Sequence, residues 1–400
     1  MEQEIGRKNL YITFIVLIFL GQVVFGFYYY VFGANAPVMM DYYQITPTQQ
    51  GFIITMKAMG ALIVSLYLAM YGERHNKINL ICISMLVLSA SSITIGFAPP
   101  YMALIFAAAI GGAAYNTINV MANSIIPEMY FKQKETLIPI LHAFFGVGAM
   151  VIPIVVTLMV NPNAPASFVR PFFLIGALEF ILLIIFFVVG RRILPLSPYA
   201  DMESVKKHNS GNPTEIFKTK KAWLFLFATL LYFSFQIGIA SWLPTYCLEL
   251  GMDFGTAGAM LTAFFLGSLV MRFCGPLILR KINAQKAYFY FGMLSAITMV
   301  AALFLTNVIA MMILVTIAGF MQGSCVAFLI LMATEAFPHR VASASSIIYI
   351  GVNGAVMTAP LWMGAIAEHI GFRVPLLLIC LFMVFSAILI MGIRKDEREV

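Results

Sequence analysis

The feature that most constrains this chain is a series of twelve apolar runs, each about twenty residues long, that follow one another along its length. A helix of that length spans the hydrocarbon core of a bilayer, whereas the strands of membrane barrels alternate over about ten residues. Hydrophobic residues make up 62% of the chain and charged residues only 10%, too few to cover a water-facing surface. The sequence therefore predicts an all-α membrane protein with twelve transmembrane helices.

Basic residues indicate how these helices cross the bilayer. Of the 24 Lys and Arg, 20 lie in alternate loops or at the termini, which predicts a multi-pass protein of the cell membrane with both termini in the cytoplasm. Lys57 and Arg272 lie inside apolar runs instead, and Arg170 and Arg373 lie at the opposite boundary. The predicted spans are 9–37, 51–71, 78–97, 101–129, 137–160, 170–190, 222–247, 255–279, 285–306, 308–336, 342–366 and 373–393.

One stretch of the sequence occurs twice. Gly112–Pro153 corresponds to Gly319–Pro360, and Glu128 matches Glu335 at the same interval inside each copy. Residues 191–221 are the one long polar stretch; they contain Pro, Gly, Ser and seven basic residues, as in a linker. We therefore expect two pseudo-symmetric six-helix bundles, 1–190 and 222–400, joined by a cytoplasmic linker at 191–221.

Several classes of function are disfavoured by what the sequence contains. The five cysteines are scattered through apolar runs without CxxC or CxxH spacing, so we expect small buried apolar residues and no metal or cofactor. The net charge of +7 sits at helix ends, which does not indicate nucleic-acid binding. There is no nucleophile elbow, HExxH or Walker A motif, so the chain is not expected to be an enzyme, and any active transport would be secondary.

Two six-helix halves joined by a basic cytoplasmic linker resemble the major facilitator superfamily of secondary transporters. The family's loop signature survives as Gly72-Glu73-Arg74-His75-Asn76-Lys77. Three segments, LHAFFGVGAMVIP (141–153), YFSFQIGIASWLPTY (232–246) and GFMQGSC (319–325), look like the fucose- and glucose-permease-like branch. That resemblance implies transport of sugars or related solutes by alternating access, often with protons, in a cavity lined by spans 1, 4, 7 and 10. At two positions where the branch has carboxylates this chain has Gln236 and Tyr115.

Polar groups on the cavity-lining spans are the candidate substrate ligands, because a polar group that faces lipid is costly. Asn116 and Asn119 share a helical face, and their amides suit hydroxyl or carboxylate groups, although such amides also join helices. Aromatic rings beside amides suit the apolar face of a sugar, with ordinary packing as the alternative. The remaining candidates are Tyr29, Asn35, Gln236, Trp242, Gln322 and Asn353.

Charged and titratable groups inside the spans are fewer. Lys57 lies about six residues, or roughly 9 Å, inside span 2; it would bind an anionic substrate, pair with Glu179 of span 6, or extend its amine to the interface. Glu179, Arg272 and His142 are the candidates for coupling or gating. For Arg272 the alternative is ligand binding, and for His142 it is packing.

Three kinds of transported substrate fit these residues. The branch resemblance and the amide and aromatic groups favour a sugar or sugar-like solute, with protons as a candidate coupling ion. Lys57, Arg272 and the missing carboxylates favour an organic anion such as a sugar acid. Export of lipophilic compounds would fit the many Met and Phe residues, and a structural or sensor protein is a further alternative. We expect a monomer in the lipid bilayer.

Overall fold

The structure is a computed structural model that describes residues 2–71, 75–130, 133–196, 218–337 and 341–393. Within these ranges all regular elements are helical, and short 3-10 turns lie at Pro165–Phe168 and Leu194–Leu196. The α-helices are α1 (Glu2–Ala34), α2 (Ala36–Tyr43), α3 (Pro47–Tyr71), α4 (Lys77–Gly96), α5 (Tyr101–Met129), α6 (Lys134–Met159), α7 (Val169–Ile193), α8 (Lys220–Glu249), α9 (Phe254–Leu279), α10 (Ala284–Leu303), α11 (Val308–Gln322), α12 (Cys325–Ala336), α13 (Val341–Ile370) and α14 (Arg373–Met391).

Twelve helical segments in the described ranges are long and apolar enough to cross a membrane, which confirms the predicted fold class. Short polar side chains fix where several of them begin. Asn76 accepts hydrogen bonds from the backbone amides of Ile78 and Asn79 at 3.0 and 3.1 Å, and Asn283 accepts one from the amide of Lys286 at 2.8 Å. Such caps satisfy amides that have no partner inside the helix.

Two predicted spans are interrupted. Residues 9–37 are not one helix, because α1 ends at Ala34 and α2 begins after Asn35. Span 10 is divided into α11 and α12 at Gly323-Ser324. At that break a Cβ on Gly323 would overlap the backbone oxygen of Ser268, and the hydroxyl of Ser324 donates to the carbonyl oxygen of Met271 at 2.8 Å. Close packing on α9 therefore accompanies the interruption, which apolar periodicity alone does not indicate.

The described helices form two compact units. The first contains the described residues up to Phe32 and those from Ile53 to the end of α7, and the second contains Gly33–Phe52 together with α8 to α14. The second unit thus includes a segment from early in the chain, here called the early segment (33–52). The predicted domain boundaries remain predictions, since residues 197–217 of the predicted linker lie outside the described ranges, as do 72–74 and the tail 394–400.

Glycines let the early segment lie directly on the helices of the second unit. A Cβ on Gly51 would overlap the backbone of Pro360 on α13, and a Cβ on Gly364 would overlap the backbone of Pro47. The backbone amide of Thr48 also donates to the carboxylate of Glu368 at 2.8 Å. These contacts join the beginning of α3 to the end of α13.

The sequence repeat extends beyond the segment in which it is evident. Gly112 and Gly319 are 207 residues apart, and so are Lys57 and Phe264. A Cβ on Gly112 would overlap the backbone oxygen of Lys57, and a Cβ on Gly319 would overlap the backbone oxygen of Phe264. The contact of α5 with α3 in the first unit therefore recurs as the contact of α11 with α9 in the second.

The helix starts follow the same spacing. Asn76 at the start of α4 and Asn283 at the start of α10 are also 207 residues apart. A second pair of close glycine contacts repeats as well: Gly60 lies on the backbone of Ala109, and Gly267 lies on the backbone of Thr316. The duplication therefore covers spans 2 to 4 and 8 to 10, and residues of the two units can be compared position by position.

Candidate functional site

The first unit holds a buried lysine surrounded by aromatic rings. Lys57 on α3 is 1% exposed, and its Nζ donates a hydrogen bond to the backbone oxygen of Tyr29 on α1 at 2.6 Å. The same nitrogen lies 4.7 Å from the ring centre of Tyr29, 5.1 Å from that of Phe32 and 6.0 Å from that of Tyr115. We call Lys57 and these three rings the lysine cage. Its amine points into the unit and does not extend to the membrane surface.

Among the described residues, no carboxylate pairs with Lys57. An ion pair among the described residues of the first unit joins Lys77 to Glu128. Glu179 is 1% exposed on α7, and neither of its carboxylate oxygens has a hydrogen-bond partner in the described structure. The structure therefore does not bring Lys57 and Glu179 together.

Uncompensated charge makes the cage unusual for a membrane helix. An ammonium has three N–H donors, and the carbonyl of Tyr29 accepts one of them. Placing a lysine at the centre of a membrane helix costs about 2.5–3.5 kcal/mol on insertion scales. Each favourable ring contact returns on the order of 0.5–2 kcal/mol. The cage therefore tolerates a cation without providing a fixed counter-charge.

The contact between α3 and α5 places Lys57 in this cage. Gly112 has no Cβ, so α5 lies against the backbone of Lys57 and brings Tyr115, one turn along α5, to the amine. Asn116, also on α5, bonds to the next turns of α3. Its amide nitrogen donates to the backbone oxygen of Ala61 at 3.1 Å and to the hydroxyl of Ser65 at 2.7 Å. The predicted amide of Asn116 is thus engaged in joining α5 to α3.

Asn119 is bonded within its own helix. Its backbone and side-chain oxygens accept hydrogen bonds from the amide nitrogen of Asn123 at 2.9 and 3.1 Å. Asn119 is half-buried. Asn116, Asn119 and Asn123 therefore differ in their surroundings, although their spacing in the sequence places all three on one face of α5.

The second unit holds a buried polar group where span 10 is interrupted. The hydroxyl of Tyr232 on α8 lies 3.0 Å from the side-chain oxygen of Gln322 and 3.2 Å from that of Gln236. Gln322 is the last residue of α11 and is fully buried, and its amide nitrogen has no hydrogen-bond partner in the described structure. We call Tyr232, Gln236 and Gln322 the amide cluster. It retains one amide nitrogen whose two N–H donors are unused and suit a hydroxyl or carboxylate oxygen.

Two residues of the lysine cage and two of the amide cluster occupy corresponding positions of the repeat. At the spacing of 207 residues, Tyr29 corresponds to Gln236 and Tyr115 to Gln322. At these two positions a ring in the first unit corresponds to an amide in the second, whereas Phe32 corresponds to Ile239 and Lys57 to Phe264. Tyr115, Phe32 and Tyr232 were not among the candidates selected from the sequence. Extending the repeat spacing back from Gln322 would have identified Tyr115.

The other predicted residues have individual surroundings. Trp242 is fully buried on α8; its indole nitrogen donates to the backbone oxygen of Pro360 at 3.2 Å, and its ring lies 4.9 Å from that of Phe372. Asn35 is fully buried between α1 and α2. The half-buried residues are Asn353 on α13, His142 on α6 and Arg272 on α9. These three half-buried residues each lie in a helix that is long and apolar enough to span a membrane.

All five cysteines are free. Cys247, Cys325 and Cys380 are buried as expected, whereas Cys82 and Cys274 are half-buried. No group of His, Cys, Asp or Glu in the described ranges has the arrangement of a metal site.

Comparison with known proteins shows which family and which relatives the chain is similar to. The sequence model of the Major Facilitator Superfamily matches residues 18–310 and 248–400. The Protein TsgA homolog of Buchnera aphidicola subsp. Acyrthosiphon pisum (strain 5A) is 24% identical over 287 residues, 69% of each chain. The Protein TsgA of Salmonella typhi is 24% identical over 261 residues, 63% of this chain and 62% of the relative.

Solved structures show the same fold. The nucleoside transporter NupG superposes with a TM-score of 0.75 at 16% identity, covering 96% of this chain and 98% of that one. A bacterial homolog of the human lysosomal transporter Spinster, in an inward-facing and unoccupied conformation, superposes with a TM-score of 0.77 at 14% identity and covers 96% of each chain.

Twelve spanning helices in a transporter fold, with buried polar groups inside, define a multi-pass membrane transporter. The chain belongs to the Major Facilitator Superfamily, as its sequence resemblance predicted. It is a transporter of small solutes and not an enzyme.

Proposed function

We propose that this protein is a secondary transporter of a sugar-like solute, and that the preferred solute is acidic, such as a sugar acid. Transport proceeds by alternating access, in a monomer of the cell membrane with both termini in the cytoplasm. The distribution of Lys and Arg supports that orientation. The observation that carries the proposal is that Lys57 is buried and has no carboxylate partner among the described residues.

A substrate carboxylate would supply the missing counter-charge of the lysine cage. A charge-assisted hydrogen bond to a carboxylate is stronger than a neutral one, and more so away from water. In the described structure the ring of Tyr29 covers the ammonium at 4.7 Å, so a substrate would reach Lys57 after this side chain changes rotamer.

The amide cluster supports recognition of hydroxyl groups. Gln322 offers an unused amide donor, and Tyr232 and Gln236 provide further polar atoms in the same buried position. A group built to hydrogen-bond a substrate rejects analogues that lack the matching atom, since its own polar atoms would stay unpaired. Asn116, Asn119, Asn35, Asn353 and Trp242 remain proposed contributors, and His142, Glu179 and Arg272 remain proposed coupling or gating residues.

A neutral sugar is the second candidate, favoured by the amide cluster taken alone. Glucuronate and glucose form a matched pair, because they differ at one carbon that is a carboxylate or a hydroxymethyl group. The test measures exchange of each labelled solute in proteoliposomes of the purified chain at equal pH on both sides. Acidic preference requires that glucuronate exchange faster and bind more tightly than glucose.

Lys57→Gln separates the two candidates further. For an acidic solute this change lowers affinity about ten- to a hundredfold, equivalent to on the order of 1.5–3 kcal/mol, while affinity for glucose barely changes. Lys286→Gln, at an exposed lysine of α10, is the control and leaves both unchanged. Equal loss of both solutes in Lys57→Gln would contradict a role in charge recognition.

A further inference from the structure

We propose that Lys57 carries the coupling proton of this transporter as well as the substrate carboxylate. This inference rests on the proposed transport of an acidic solute and extends it from binding to energy coupling. In outline, the amine of Lys57 takes up a proton on one side of the membrane, and the resulting ammonium binds the anion. The proton and the anion are then released on the other side.

The surroundings of Lys57 suit a neutral amine in the absence of substrate. One backbone oxygen, that of Tyr29, accepts its single hydrogen bond, and the rest of the cage is aromatic. The titratable side chains that face the cage are phenols: Tyr28, Tyr29 and Tyr30 on α1 and Tyr115 on α5. Where α5 touches the backbone of Lys57, Gly112 presents backbone alone. A neutral phenol is no counter-ion, so the ammonium acquires one when an anion arrives.

Lys77 shows the contrasting arrangement in the same unit. It is 2% exposed, and the carboxylate of Glu128 is bonded to it in the resting structure. Lys77 therefore already has a carboxylate partner in place. Lys57 has no such partner, and its position in the repeat is occupied by Phe264 in the second unit, so this device occurs once in the described chain.

The cycle balances in charge and protons. An N–H bond forms when the amine takes a proton from the side of higher proton concentration, and the ammonium then pairs with a monoanion. On the other side the anion dissociates and the same N–H bond breaks, which regenerates the neutral amine for the return step. No electron is transferred, and one proton accompanies one monoanion. Net transport is therefore electroneutral.

The experiment compares two assays of labelled glucuronate in proteoliposomes of the full chain. Exchange at equal pH on both sides measures binding and translocation. Accumulation under an inside-alkaline gradient of one pH unit measures coupling, and a one-to-one mechanism permits up to about tenfold accumulation, since one pH unit corresponds to a factor of ten in proton concentration. A pH-sensitive dye inside the vesicles reports proton entry directly. Wild type, Lys57→Arg, Lys57→His, Glu179→Gln and the surface control Lys286→Gln are compared.

We expect wild type to accumulate glucuronate together with protons. An imposed membrane potential should leave the extent of accumulation unchanged. Lys57→Arg keeps a permanent cation, so exchange remains within about threefold of wild type while accumulation disappears. Lys57→His retains accumulation under acidic conditions and loses it above neutral pH, because imidazole exchanges protons near neutrality. Its pH profile keeps the inference testable even where the arginine variant does not fold.

Three results would overturn the inference. Accumulation by Lys57→Arg at the wild-type level would show that the coupling proton is carried elsewhere. Loss of accumulation in Glu179→Gln, with Lys57→Arg still concentrating glucuronate, would assign the proton to Glu179. Net glucuronate uptake by wild type under the pH gradient without proton entry would refute coupling while leaving the proposed function intact. Absence of exchange with glucuronate is a different failure, since it refutes the acidic substrate itself.

Discussion

Lys57 and Phe264 occupy the same position in the two copies of the repeat, and each supports a glycine of the neighbouring spanning helix with its backbone oxygen. The backbones therefore match while the side chains differ in charge. Duplication accounts for the helix contact, but it does not account for a lysine in only one of the two copies. A buried cation retained at one of two equivalent positions indicates a task beyond packing.

If Lys57 serves function and not folding, its replacement by an apolar residue of similar length stabilises the protein. Lys57→Met removes a buried amine that has one hydrogen-bond acceptor and no counter-ion among the described residues, and it keeps the contacts of the side-chain stem within the cage. We expect an increase of about 1–3 kcal/mol in the free energy of unfolding, by analogy with buried charges replaced by apolar residues. The measurement is the melting temperature in detergent, alongside loss of glucuronate exchange. A lower melting temperature would show that the ammonium stabilises the fold.

The close helix contacts make another prediction. Gly112→Ala and Gly319→Ala each introduce a Cβ that overlaps a backbone oxygen, so the helices must separate. We expect each change to destabilise the protein by about 1–3 kcal/mol, as overpacking does. Gly21→Ala is the matched control, because its Cβ would lie 3.5 Å from the flexible end of Met85. Melting temperatures that fall equally in all three variants would argue against a specific contact.

The Lys77–Glu128 pair can be tested against its counterpart in the repeat. Glu128→Gln leaves Lys77 buried beside a neutral amide, and we expect a loss of about 1–3 kcal/mol, reduced from the value for fully buried pairs because the side chain of Glu128 is 32% exposed. Glu335 is the equivalent residue, is exposed, and has Ala284 at the position of the lysine. Glu335→Gln should therefore leave the melting temperature unchanged. A double-mutant cycle with Lys77→Met measures the coupling between the paired residues.

The amide cluster predicts a separate effect on recognition. Tyr232→Phe removes the hydroxyl that lies between the side chains of Gln236 and Gln322 and keeps the ring. We expect the affinity for both glucuronate and glucose to fall about tenfold, because a buried polar network loses one of its members. The ratio between the two solutes should stay constant, unlike in Lys57→Gln. A changed ratio of the two affinities, measured by competition in the exchange assay, would show that the cluster distinguishes the charged solute from the neutral one.

Apolar run length was sufficient to predict the helices, because a helix in lipid must satisfy its backbone internally and must match the bilayer thickness. Two interruptions, at Asn35 and at Gly323-Ser324, were not predicted. Both lie within apolar stretches where hydrophobicity does not change. At Gly323 the interruption coincides with a close approach of the backbone of α9, a tertiary contact that the sequence does not show.

The candidate site was predictable in part. Lys57 stood out because a cation in an apolar run is rare, and the structure adds that its partner is a carbonyl oxygen and not Glu179. Asn116 was selected from helical spacing, yet its amide bonds to α3, which spacing cannot show. Tyr115 was passed over as a missing carboxylate, although its ring forms part of the cage. Composition reveals which groups are costly in lipid, whereas their partners depend on contacts between distant helices.

The early segment has a consequence for how the protein is made. Residues 33–52 pack on α8 and α13, whose sequences are synthesised some two to three hundred residues later. A chain emerging from the ribosome therefore carries Gly51 and Thr48 into the membrane before Pro360 and Glu368 exist. Until α13 is synthesised near the end of translation, this stretch lacks its contacts with Pro360 and Glu368 and can pair wrongly. Premature termination after the sixth span would leave this stretch without the residues of α8 and α13 on which it packs.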